Sequence, residues 1–513
     1  VATRVIEGER RLSAAAGRGG WITAGLMLAV LMVSVDSTIV NVSLPHMQAS
    51  LSASPEQITW TLSSFIVAMG MATPLSGWLA TRFGVKATLL GSVLLFTAIS
   101  LLCGTATNLP EMVVLRALQG ATGAPLVPLA QTVLLNINPP ERYGRAMALF
   151  AIAGVASPII GPVLGALLTD QLSWRWCFYV NLPVGAGALA VLWLAMPDEE
   201  GERRPFDFLG FGALALAVGA FQLMLDRGTS QDWFASPEIW AEASLAACAF
   251  WVFVTHSMTA AKPLFAPELA RDRNFVAATM ISFFMMMLFF SSLALLPLMM
   301  QNVLGYSVVL AGLLSMPRGL LMLVVLQISG RLDAIIDRRI LLAFALAALA
   351  LAFWLMGQFD IDMTPRTILT ASLWQGVGQG MVTVPLTTLA MATIRPQLRA
   401  DASALNNIAR SLGGAVGLAV MQATLVWNTQ RMHAALAGHI RSDDPVLRAA
   451  LPHAMSPDGL VALNAEVSRQ ALMVAYVDGF RLMALVAVCM APLLLFLRQP
   501  RRAPTSPPPV DIH

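Results

Sequence analysis

Along the chain, runs of about 20 apolar residues alternate with short connections rich in Gly, Pro, Asn or charge, the period that a bilayer core of roughly 30 Å imposes on a helix. About fourteen such runs can be marked, at 21–45, 56–80, 88–108, 110–135, 145–169, 177–196, 207–226, 238–258, 274–300, 306–328, 339–357, 366–390, 399–427 and 478–498. The pattern predicts an all-α polytopic membrane protein. The connection before the last run, residues 428–477, is unlike the others. It has mixed charge, helix-like apolar spacing (Val461, Ala465, Val467, Ala471, Val474) and a Ser456-Pro457-Asp458-Gly459 breaker, which predicts two amphipathic helical pieces.

Composition agrees, since 57% hydrophobic and 12% charged residues with a mean hydropathy of +0.70 exclude one soluble core of 513 residues. The net charge of +3 does not indicate nucleic acid, because the basic residues are scattered in small clusters between apolar runs. They act as topology signals: with the N-terminus in the cytoplasm, about twenty-one of the 32 Lys and Arg lie inside and about seven outside. Both tails, 1–20 and 499–513, are then cytoplasmic, and the run from Trp21, too long for a signal-peptide core, is expected to remain as the first span. The four cysteines, Cys103, Cys177, Cys248 and Cys489, fall in or beside apolar runs and form neither a disulfide framework nor a metal-ligand set.

The halves repeat at an offset of about 255 residues. GWLATRFGVKATLL from Gly77 matches GRLDAIIDRRILL from Gly330, QGATGAPLVPL from Gln119 matches QGVGQGMVTVPL from Gln375, and PERYGRAMAL from Pro140 matches PQLRADASAL from Pro396. Three matches in one order predict two six-helix bundles, 21–196 and 274–498, with two extra central helices in 207–258.

One acid lies deep in this pattern. Asp36 is nine residues before Pro45, about 13 Å from the outer boundary, and Arg116 is six after Pro110, about 9 Å in, so the two share a depth. A carboxylate there costs at least about 2.5–3.5 kcal/mol on insertion scales and needs a partner or a purpose. The Gln119–Gln375 register places Ser372 opposite Arg116 and Arg410 opposite Gly154, so neither charge is demanded by the fold. Asn41, Gln119, Arg318, Gln375, Asn406, Asn407 and Arg410 are further polar groups within spans and candidates to line a cavity.

The stretches VDSTIVNVSLP around Asp36, GWLATRFGVK, RALQGATGAPLVPL, GVASPIIGPVLGA, WRWCFYVNLPVG, LDRGTSQDWF and ADASALNNIARSLGGAVG occur in the order of one family. The chain resembles the fourteen-helix drug:proton antiporters of the major facilitator superfamily, of the EmrB/QacA type and its EmrB-like branch. The resemblance implies export of hydrophobic toxic compounds from the inner membrane, driven by the proton gradient without a cofactor, with a periplasmic adaptor leading to an outer-membrane channel. It implies proton coupling at Asp36 and Arg116, an antiporter motif at Gly154, Ser157, Gly161, Pro162 and Gly165, and a cytoplasmic gate loop at Gly77, Arg82, Gly84 and Lys86. Here Thr81 replaces the usual acid of that loop, and Ser157 and Ala166 stand where glycines are common in the motif. A proton-coupled carrier of one specific metabolite is the alternative. An enzyme is disfavoured by the lack of a phosphate loop, a His-Glu-x-x-His motif or clustered histidines.

Overall fold

The computed structural model describes residues 18–139, 142–198, 201, 205–260, 263–333, 335–440 and 457–497. The tails before Arg18 and after Leu497 and the 441–456 part of the long connection lie outside the described residues. No strand occurs among those described. The N-terminal bundle contains α1 (Gly19–Ser50), α2 (Trp60–Ala72), α3 (Leu75–Phe83), α4 (Val85–Thr105), α5 (Leu109–Gly123), α6 (Leu126–Ile137), α7 (Tyr143–Gln171) and α8 (Asn181–Ala195). Two further helices follow, α9 (Phe208–Arg227) and α10 (Pro237–Thr259). The C-terminal bundle contains α11 (Arg273–Asn302), α12 (Val308–Leu332), α13 (Arg338–Met356), α14 (Pro365–Ala392), α15 (Arg399–His439) and α16 (Pro457–Cys489).

Among the described residues, eleven helices are long and apolar enough to cross a membrane, or twelve with α2 and α3 taken as one span bent by 57°. The other two predicted spans are α7 and α14, helices of 29 and 28 residues that fall outside that set. Local chemistry fixes the ends. Asn108 accepts the Glu111 N–H at the start of α5, Ser307 the Leu310 N–H at the start of α12, and Asp272 the Phe275 N–H at the start of α11. Between α3 and α4 the chain turns at Gly84 with φ +86°, a region open to glycine and costly for other residues. Large apolar side chains such as Trp193, Leu194 and Trp251 face outward, as a helix bathed in lipid requires.

The repeated halves meet mainly at the end where α1 begins and α3 joins α4, called here the basic end. There α7 packs on α12 and α14, and α15 on α3 and α6. Thr132 and Ser403 share a hydrogen bond across this junction, Asn407 donates to Gln131 Oε1, and Arg399 donates to Asn136. One apolar cluster runs through it, combining Leu126, Met147 and Ala148 of the first bundle with Phe275, Leu326, Met391 and Ala402 of the second. The cluster of Ile39, Val40, Met47, Met112 and Phe178 at the opposite end belongs to the first bundle alone.

The long connection is helical on both sides, as its apolar spacing predicts, but the helices run on from the spans instead of standing as separate pieces. Residues 428–439 continue α15 and residues 457–477 belong to α16, so much of the predicted 428–477 segment is an extension of two spans. At 41 residues, α15 is about 60 Å long, twice the hydrocarbon thickness. The projecting arms touch where the His433 ring meets Asn464 Oδ1 at 3.0 Å.

A buried charge network and its partner site

Asp36 and Arg116 meet inside the first bundle. Arg116 Nη1 donates to Asp36 Oδ2 at 2.6 Å, and both side chains are fully buried. The other carboxylate oxygen accepts from Asn181 Nδ2 at 2.6 Å and Gln119 Nε2 at 3.1 Å. Arg116 also donates to Gln119 Oε1 at 2.6 Å and through Nε to the Thr61 carbonyl at 3.1 Å, while the Phe65 ring lies 4.1 Å from its guanidinium carbon. Ser100 accepts from both Gln119 and Asn181. Taking two charges from water costs several kcal/mol each, and these added hydrogen bonds and the ring face are what offset it. Arg116 Nη2 is sealed without a partner among the described residues. Five helical segments (α1, α2, α4, α5 and α8) thus hold one carboxylate.

Sequence depth brought Asp36 and Arg116 together but missed Asn181 and Ser100, ordinary polar residues on apolar helices with nothing local to mark them. Gln119, predicted to line a cavity, is instead sealed inside this network. Asn41 is exposed on α1 and belongs to no such cluster. Asn406 donates within the second bundle to Thr279 and Ser282 at 3.3 and 3.4 Å. Arg410 is half-buried and donates to no group among the described residues.

The stretch predicted as an antiporter motif packs closely on the helix that carries the acid. Thr38 Oγ1 donates to the Ser157 carbonyl at 3.0 Å; a methyl added at Gly161 would strike Thr38 Oγ1, and one at Gly165 would lie 2.7 Å from the Ile39 carbonyl. These contacts fall two and three residues beyond Asp36. Gly154 is no part of this groove: it is exposed, with nothing near its missing Cβ. Pro162, intermediate in exposure, lies beside the groove. At its basic end α7 presents Gly144 to Gly330 of α12, where a methyl on Gly144 would lie 2.7 Å from the Gly330 carbonyl.

In the predicted gate loop, Gly77 lies so near α15 that a methyl there would overlap Asp401 Oδ1. Thr81 donates to the Gly77 carbonyl, Lys86 pairs with Asp198 at 2.8 Å, and Arg82 lies 5.9 Å from the Phe83 ring. The bundles are joined here by backbone approach to a neighbouring acid on α15, where an acid at position 81 would have pointed to charge pairing.

The second bundle contains a counterpart of the network. The register that matches Gln119 with Gln375 carries Asp36 onto Ser292, and Gln375 donates to Ser292 Oγ as Gln119 does to Asp36. Arg318 Nη1 donates to Gln375 Oε1 at 3.1 Å, as Arg116 does to Gln119. The arginine now comes from another helix: Gly120 packs on the Phe65 carbonyl and Gly376 on that of Arg318, so Arg318 stands where Phe65 does. Ser372, opposite Arg116, is sealed with its hydroxyl unpartnered. The repeat signalled this pairing; the swap between helices concealed it.

Two helical bundles related by an internal repeat, each with a polar cluster between its first, second and fourth spans, define a secondary-transporter architecture. The chain belongs to the major facilitator superfamily, whose family model matches residues 26–418. It is 36% identical over 444 residues to the multidrug export protein EmrB of Haemophilus influenzae, covering 86% of each chain. It is 32% identical over 490 residues to the fatty acid resistance protein FarB of Neisseria gonorrhoeae, covering 94% of this chain and 96% of FarB. EmrB of Escherichia coli K12 is 34% identical, with 80% of this chain and 81% of that protein covered. In fold it is similar to the human organic anion transporter MFSD10, with a TM-score of 0.59 at 14% identity over 94% of this chain and 99% of that one. These relatives place it in the EmrB-like branch of the superfamily.

Proposed function

We propose that the protein is a proton-driven exporter of hydrophobic toxic compounds, working by alternating access in a bacterial inner membrane with both termini cytoplasmic. The observation that carries this reading is the sealed Asp36–Arg116 pair on a helix gripped by the antiporter motif. A proton added to Asp36 removes one charge of a buried pair, weakens the Arg116 bond and leaves α1 free to shift against α5. Because α7 packs on α1 and also on α12, a movement of α1 is passed to the contact between bundles. Substrate and proton then use the same rocking step in opposite senses.

The names of the relatives, two multidrug export proteins and one fatty acid resistance protein, support hydrophobic compounds as cargo. The projecting arms of α15 and α16 offer a surface for a periplasmic adaptor that passes cargo to an outer-membrane channel. The test is efflux of a panel of hydrophobic dyes from proteoliposomes with and without an imposed pH gradient. Dye movement should follow the gradient and collapse with a protonophore. Flux indifferent to the gradient would remove the coupling role of Asp36.

A further inference from the structure

The network of the second bundle has its cation and its glutamine but no acid. Arg318 is only 8% exposed, and its two hydrogen bonds both leave from Nη1 to neutral partners, Ser292 at 3.3 Å and Gln375 at 3.1 Å. No ion pair to Arg318 is formed among the described residues. Its Nε and Nη2 donate to no group among the described residues, and neither counts among the sealed, unpartnered atoms there. These two groups form the side-on fork of a guanidinium, the edge that takes a carboxylate through two parallel bonds. Arg318, Gln375 and Ser292 each lie about ten residues, roughly 15 Å, from the ends of α12, α14 and α11 remote from the basic end, so their level is near mid-membrane.

In the first bundle the corresponding cation is matched by Asp36; here the matching position is Ser292, a hydroxyl that cannot neutralise it. A buried charge left unpaired is costly, and an anion brought by a ligand relieves that cost. The apolar setting, with Leu314 and Met322 on turns either side of Arg318 and Met299 and Leu295 on α11, suits a hydrocarbon body attached to the anion.

We propose that Arg318 is the anion-binding residue of the transport site and receives the carboxylate of an amphiphilic organic acid, with Gln375 and Ser292 holding the guanidinium in place. The cargo includes hydrophobic anions whose own acid completes the cluster. The proposal rests on the export reading and adds its substrate class.

The experiment measures binding of a fluorescent long-chain carboxylate and of its methyl ester to the full chain in nanodiscs, and takes the ratio of the two affinities. Wild type should favour the acid by tenfold or more; Arg318→Gln should bring the ratio close to one, and Arg318→Lys should keep most of it. Ser292→Asp, which supplies the missing acid, should also collapse the ratio while the protein elutes as a single species. An unchanged ratio in Arg318→Gln, or acid binding undiminished by Ser292→Asp, would overturn the assignment. Gradient-driven efflux of a cationic dye by wild type, measured in parallel, reports on the export reading alone. Dye export without acid preference rejects the anion site and leaves that reading standing.

Discussion

At the scale of single residues, the Asp36–Arg116 pair combines a structural debt with a proposed task, and the two can be separated. Removing one partner of a buried ion pair costs about 3–5 kcal/mol because the other is left uncompensated. Asp36→Asn alone should therefore lower the thermal midpoint in detergent and abolish gradient-driven efflux. The double variant Asp36→Asn with Arg116→Gln removes both charges and should recover at least half of the lost stability without recovering transport. Restored efflux in the double variant would show that the pair is structural only. The pair was legible because a lone acid and a lone base at one depth are visible by counting residues from span ends. Asn181 and Ser100 were not, since a side chain that completes a network across helices has no periodicity of its own, and Arg318 could not be matched to Arg116 by register because it stands on the second span of its bundle, not the fourth.

At the scale of helices, close backbone approach at Gly144 and Gly330 joins the bundles at the basic end. A larger side chain on Gly330 must push α12 from α7, and overpacking of this kind costs about 1–3 kcal/mol. Charged against the closed arrangement, that shifts its population by roughly 5- to 150-fold. Gly330→Val should accordingly lengthen the distance between spin labels at Phe83 and Ile340, both exposed near the basic end of their bundles, in double electron–electron resonance. Unchanged distances would mean that the contact does not hold this end shut. Spans themselves were readable to within a few residues wherever apolar runs were bounded by Pro, Gly or charge. The helicity beyond the two last spans was legible in the apolar spacing of residues 461–474, but its continuity with α15 and α16 was not, because a helix outside the bilayer no longer needs to be apolar.

At the scale of the molecule, the projecting arms of α15 and α16 invite a cut, and burial sets where it can be made. Val467, Ala471 and Met473 are buried, so a replacement reaching them would damage the bundle. Exchanging residues 435–462 for a short Gly/Ser linker should leave gradient-driven flux in proteoliposomes within about twofold of wild type, since surface substitutions away from packed features change little. If the proposed periplasmic adaptor docks on these arms, the same change should abolish co-purification with it and resistance in cells. Equal loss of flux in proteoliposomes would assign the arms to the transport cycle.

The placement of α9 bears on how the membrane itself reaches the centre of the protein. One boundary between the bundles is closed by α7 lying directly on α12, whereas along the other α9 is interposed between α2 and α15. It is tied to α2 through Asp226 with Ser63 and to α15 through Gln222 with Ser411. A compound dissolved in the leaflet thus meets two unlike doorways, one a two-helix zipper and the other fitted with a jamb. In the proposed rocking of the bundles, the zipper opens or closes as a unit, but α9 can stay with either neighbour and leave the other. The extra helices therefore turn a nearly twofold machine into one with a front and a back, and lateral traffic from the lipid need not be the same on the two sides.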